Sequence, residues 1–102
     1  MPNMFDMIRQ AQMLKEKMAQ FQEELEKQSF TGSAGGGAVT VTLNGKHEVR
    51  KVVVDPKVMA SGDVGMLQDL IQAAVNDAGR QVNEKLKAEM GKMTGGLGLP
   101  GL

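Results

Sequence analysis

The chain has no cysteine, tryptophan or tyrosine, and only three phenylalanines in 102 residues. Without cysteine there is no disulfide framework, no thiolate zinc site and no cysteine nucleophile. That composition fits a reducing cytoplasm. No apolar run approaches the roughly 18 residues of a membrane span. The N-terminal stretch has no apolar core of the kind a signal peptide carries. Net charge is missing too: 12 basic residues balance 12 acidic ones. Whole-chain charge therefore gives no support for nucleic-acid binding. The length sets a ceiling of one domain. With few aromatics, nine methionines do much of the filling, which implies adaptable packing.

What is present is organised around Ala38 to Asp55, AVTVTLNGKHEVRKVVVD. Val39, Val41 and Leu43 alternate with Thr40 and Thr42, the period of a half-buried strand. Asn44-Gly45 is a turn signal, and a β-branched run ends in Val52-Val53-Val54. The segment reads as a β-hairpin. A two-residue turn would set Val41 against Glu48, an apolar face against a charged one. A three-residue loop, Asn44 to Lys46, pairs Leu43 with His47 and Val41 with Val49, and puts Val53 on the same face. Because a slip of one residue turns every side chain over, the odd register is expected, with Gly45 in the left-handed conformation.

A helix capped by Asn3 is expected to run to about Gln28. Its apolar positions, Met4, Met7, Ala11, Leu14, Met18, Phe21 and Leu25, hold a heptad seam. Such a helix is about 39 Å long, whereas a compact globule of this size is roughly 34 Å across. Part of it must project. The stretch SFTGSAGGG at 29–37 is open between a mobile loop, a bend and a short strand around Phe30 to Ser33. Asp55-Pro56 starts a short helical turn to Ala60, which Ser61-Gly62 breaks. Asp63 caps a second long helix, expected to end near Lys92. Its first half is broadly apolar and suits a sheet. Its second half keeps only Val82, Leu86 and Met90 on one line, a stripe for one partner helix. The tail at 93–102, MTGGLGLPGL, lacks periodicity and is expected to be disordered. Two long helices and a small sheet cannot close a large core alone. A symmetric dimer is the expected remedy.

Catalytic signals are weak. His47 stands alone beside a turn and reads as a solvated histidine. Gly35-Gly36-Gly37 matches no phosphate-binding loop, having neither GxGxxG nor GK[ST], and reads as a connector. Glu23, Glu24 and Glu26 form a solvated helix flank. The methionine stripe is core or dimer seam. No enzyme, metal, cofactor or small-molecule substrate is expected. Basic residues lie on both helices: Arg9, Lys15, Lys17 and Lys27 on the first, Arg80, Lys85, Lys87 and Lys92 on the second. A mixed solvated surface is the plain reading. Helices projecting from a dimer could instead straddle a duplex, with Gln and Asn side chains reaching phosphates beside the cations.

Four stretches together resemble the YbaB/EbfC family of small bacterial nucleoid-associated proteins: MIRQAQMLKEKMAQFQEEL at 7–25, VTVTLNGKHEVRKVVVDP at 39–56, MLQDLIQAAVNDAGRQVNEK at 66–85, and the Met/Gly/Leu/Pro tail. The resemblance implies an α+β chain of order α-β-β-β-α, with an antiparallel sheet, and a tweezer-shaped homodimer with helical arms. It also implies binding to double-stranded DNA, a place on the cytoplasmic nucleoid, and a role in chromosome organisation or gene regulation. It carries no agreed contact residues. By position, the DNA-binding candidates are Arg9, Lys15, Lys17, Arg80, Lys85 and Lys87. The hairpin cations Lys46, Arg50 and Lys51 are the fallback surface. The competing reading is a protein-interaction module that uses the methionine-rich helical surface.

Overall fold

A computed structural model describes residues 3–97, with side chains through Lys92. The order is α1 (Met4–Lys27), β1 (Ser29–Ala34), β2 (Val39–Asn44), β3 (Val49–Val54), α2 (Pro56–Ala60) and α3 (Val64–Leu97). The fold is α+β: a three-stranded antiparallel sheet of order β1-β2-β3 with α3 across one face.

Each helix starts on a side-chain oxygen that takes an otherwise unpaired N–H. Asn3 Oδ1 accepts from Asp6 N at 2.8 Å, Asp55 Oδ1 from Lys57 N at 2.9 Å, and Asp63 Oδ1 from Met66 N at 2.9 Å. Pro56 takes the first turn of α2, where no N–H is needed. Helix α3 continues to Leu97, past the expected end near Lys92. Of the tail expected to be disordered, residues 98–102 lie outside the described residues.

The 29–37 stretch resolves into a full strand and a tight turn. β1 pairs with β2 from Ser29↔Asn44 to Ala34↔Val39. Gly35, Gly36 and Gly37 turn the chain at φ +64°, +67° and +94°. L-residues rarely adopt these angles, so the glycine run is a hairpin turn.

The β2–β3 register differs from expectation. Val41 pairs with Val52, Leu43 with Val49, and Thr40 with Val53. Val53 thus lies on the face opposite Val41, and neither Val41–Val49 nor Leu43–His47 forms. Two local features cause this. Arg50 is left over as a bulge between Lys51 and Val49. Asn44 turns inward and is 1% exposed. Its Oδ1 accepts from Lys46 N (2.9 Å) and Glu48 N (3.0 Å), while its Nδ2 donates to Glu48 Oε1 (2.8 Å). The side-chain amide thereby holds a longer loop together. The left-handed position falls on His47, at φ +63°, rather than on Gly45.

The core lies between β2 and α3. Val39, Val41 and Leu43 meet Ala74, Ala78 and Val82, all essentially sealed from solvent. Phe30, Ala34, Val54, Leu70, Val75 and Leu86 pack around them. Small residues let α3 descend on β1: a Cβ at Gly32 would stand 2.3 Å from Ala74 O and 2.3 Å from Ala78 N. Helix α3 also closes the outer edge of β1. Ser33 N donates to Asp77 Oδ2 at 3.0 Å, and Gln81 Nε2 donates to the Thr31 carbonyl at 2.9 Å. An open strand edge recruits other strands, and these two side chains occupy that one.

Candidate nucleic-acid interface

Both long helices leave the sheet from one end. Helix α3 passes Gly35 at Leu70 and Thr31 at Gln81, so it travels toward the Ser29–Asn44 end. Helix α1 enters the sheet at that same end, just before Ser29. The molecule is accordingly elongated, 69 × 27 × 16 Å with a radius of gyration of 19.9 Å. A compact chain of this length would have about 13 Å.

Along most of its length α1 has no cover. Leu25 is its buried residue, and Phe21 is half-buried. The rest of the seam is open, with Met4, Met7, Leu14 and Met18 all more than half exposed. Ala11, Leu14, Lys15, Met18, Ala19 and Gln22 line a shallow apolar groove along it.

The six candidate cations are not equivalent. Arg9, Lys15, Lys17 and Lys87 are exposed and join no ion pair among the described residues. Arg80 leans on Asp77 Oδ1 at 3.3 Å. Lys85 binds Glu89 Oε1 at 3.1 Å, and Lys92 approaches the same oxygen at 3.8 Å. The Lys85 hydrogen bond, with the two ammonium charges, holds the Glu89 carboxyl below its ordinary range. At about 100° per residue, Lys15 and Lys17 flank the α1 seam on opposite sides, with Arg9 on the outer face. On α3, Arg80 and Lys87 share one row and Lys85 stands on another.

Position along α3 divides them further. Arg80 is not on the projecting part. It lines a cleft of about 440 Å³ at the sheet end, with Leu43, His47, Val49, Gly79 and Asn83. The free arm begins beyond Leu86, which still packs on the core, one turn past Asn83, whose Oδ1 is bonded to His47 Nε2 at 3.0 Å. Asn76 also lines this cleft and falls in the row Asn76, Arg80, Asn83, Lys87, a 4-3-4 spacing that makes one exposed helical line. Asn76 was missed by charge alone, although the spacing is readable from the sequence. The fallback surface is partly neutralised: Lys46 Nζ binds Glu26 Oε1 at 2.7 Å, and Arg50 reaches Glu48 Oε1 at 3.4 Å.

The model of the YbaB/EbfC DNA-binding family matches residues 1–97. The chain belongs to that family. A nucleoid-associated protein of Alkaliphilus metalliredigens is 48% identical over 101 residues, covering 99% of this chain and 89% of the relative. One from Clostridium acetobutylicum is 45% identical, covering 98% of this chain and 89% of the relative. The crystal structure of HP0035 from Helicobacter pylori, an uncharacterized protein, superimposes with a TM-score of 0.79 at 23% identity. That match covers 92% of this chain and 99% of the other. It establishes the shared fold. No described helix is long and apolar enough to cross a membrane.

Proposed function

We propose that the protein is a nucleoid-associated protein that binds duplex DNA as a homodimer, with helical arms closing on the phosphate backbone. Membership of a DNA-binding family and the names of its relatives support the DNA. The observation that carries the arm geometry is the projection of both long helices from one end, with Arg9, Lys15, Lys17 and Lys87 unpaired. Flexible ammonium and guanidinium groups on such arms suit sequence-independent phosphate contacts. Arg80 and Lys85 stand as further contacts, each drawn partly aside by a carboxylate. The role that follows is chromosome organisation or gene regulation.

What one chain leaves uncovered supports the dimer. Helix α3 covers β1 and β2 and leaves most of the far strand bare. Val49 and Val52, on the α3 side of β3, stay 54% and 49% exposed. An isolated helix with an unfilled seam is only marginally stable in water, and α1 is such a helix. A second copy would supply apolar surface to both places at once.

Light scattering with a short duplex tests both parts together. The expected mass is the duplex plus about 22 kDa, twice the 10.9 kDa chain. A 10.9 kDa species that leaves the duplex mass unchanged would overturn the reading. A 22 kDa species that ignores the duplex would instead assign the exposed methionine seam to a protein partner.

A further inference from the structure

One turn of the sheet bonds to both long helices. Its first attachment is to α1. Gly45 N donates to the Leu25 carbonyl at 2.7 Å. The strand and helix backbones are so close that a Cβ on Gly45 would meet Leu25 O at 2.7 Å and Leu25 Cα at 2.9 Å. Beside it, Lys46 Nζ donates to Glu26 Oε1 at 2.7 Å. These contacts join the last helical turn of α1, beyond which its seam is bare. The second attachment is to α3. His47, held at φ +63°, bonds Asn83 one turn before the free arm begins. Asn44 locks the turn from within by its three hydrogen bonds and is fully buried.

We propose that the turn from Asn44 to Glu48 is the hinge block that sets the separation of the two arms, with Gly45, Lys46 and His47 as positioning residues for DNA binding. The proposal rests on the duplex-binding reading. Its logic is leverage. Helix α1 runs about 36 Å, and within one chain little besides its C-terminal turn is fixed. A small displacement at Leu25 is therefore magnified at Lys15, Lys17 and Arg9. Two roles for glycine separate here: Gly35 to Gly37 supply positive φ, whereas Gly45 supplies close approach. His47 carries a left-handed conformation that favours glycine, and in exchange its ring reaches α3. An arm spacing fixed before DNA arrives spares the ordering penalty of binding.

The test measures arm spacing without DNA, then affinity with it. Because the chain has no cysteine, Gln12→Cys and Ala88→Cys place two spin labels, one on each arm. Labelled chain is diluted into excess unlabelled chain, and the pulsed dipolar distance distribution is recorded. The expected result is one narrow distance, shifted or broadened by Gly45→Ala and by Lys46→Glu. Combining Lys46→Glu with Glu26→Lys preserves net charge and should restore it. His47→Gly relieves the strained φ, keeps the fold and frees α3, so it too should broaden the distance. Duplex affinity should fall about tenfold in each single variant and recover in the charge swap, with the dimer mass unchanged. If Gly45→Ala does not fold, the charge swap and His47→Gly carry the test. Unchanged distances in Lys46→Glu and His47→Gly overturn the hinge. Moved distances with unchanged affinity overturn the positioning role while leaving DNA binding intact. If the wild type ignores DNA, the functional reading fails and the distances still decide the hinge.

Discussion

Gly32→Ala should destabilise the protein by about 3 kcal/mol or more. The added methyl would stand 2.3 Å from Ala74 O and 2.3 Å from Ala78 N, both backbone atoms of α3. A side chain could rotate away; a helix backbone cannot. Helix α3 must lift off β1, which opens the contact of Val39, Val41 and Leu43 with Ala74, Ala78 and Val82. Lifting also strains the bonds from Asp77 and Gln81 that close the β1 edge. Domains of this size hold only about 5–15 kcal/mol in total. The melting temperature should drop by roughly 12–24 °C, at 4–8 °C per kcal/mol. Gly65→Ala is the control. Its Cβ meets nothing closer than Asp63 Oδ1 at 3.6 Å, so stability should change by less than about 1 kcal/mol. Thermal melts of the two variants check the claim, and equal melting temperatures would refute it.

Reversing Lys15, Lys17 and Lys87 to Glu should abolish duplex binding and leave the dimer mass unchanged. With Arg9, these are the candidate cations on the free stretches of both arms that no carboxylate holds. Each change replaces attraction to phosphate by repulsion, and a dimer carries it twice. The neutral version, all three to Gln, should lower the salt slope by about 5.4, roughly 0.9 for each of six lost phosphate contacts. By comparison Lys85→Gln should matter less, because Lys85 already shares Glu89 with Lys92. Unchanged affinity in the triple reversal would move the contact surface to the hairpin, where Lys51 has no ion-pair partner among the described residues.

Local signals were legible, and tertiary ones were not. The three helix caps are Asn and Asp side chains acting within three residues, so the helix starts could be read directly. The α1 seam and the apolar half of α3 follow from helical period, and the projection of α1 from its length. The hairpin register was misread because it depends on a buried amide and a bulge. Alternation in Val39 to Leu43 shows the face of β2, but not that Asn44 extends inward or that Arg50 is skipped. Gly35 to Gly37 reads as looseness in sequence, yet three positive φ angles in a row make a tight turn. At Gly45 the expected reason was conformation and the actual one is the Leu25 backbone, a residue twenty positions away. The candidate site shows the same division. Basic residues on the helices were visible, whereas their carboxylate partners and the cleft position of Arg80 depend on rotation about α3. The family resemblance, resting on nearly the whole chain, matched the fold where register arithmetic did not.

Unpaired arm cations are expected to meet phosphate. A fluorescence anisotropy titration of the wild-type dimer onto a short duplex at about 50 and about 200 mM salt tests it most directly. Neutralising six phosphates gives a slope of about −5.4 in log affinity against log salt, or on the order of a thousandfold loss between those concentrations. A verified dimer that shows no binding at the lower salt, or an affinity that does not change with salt, would contradict the claim.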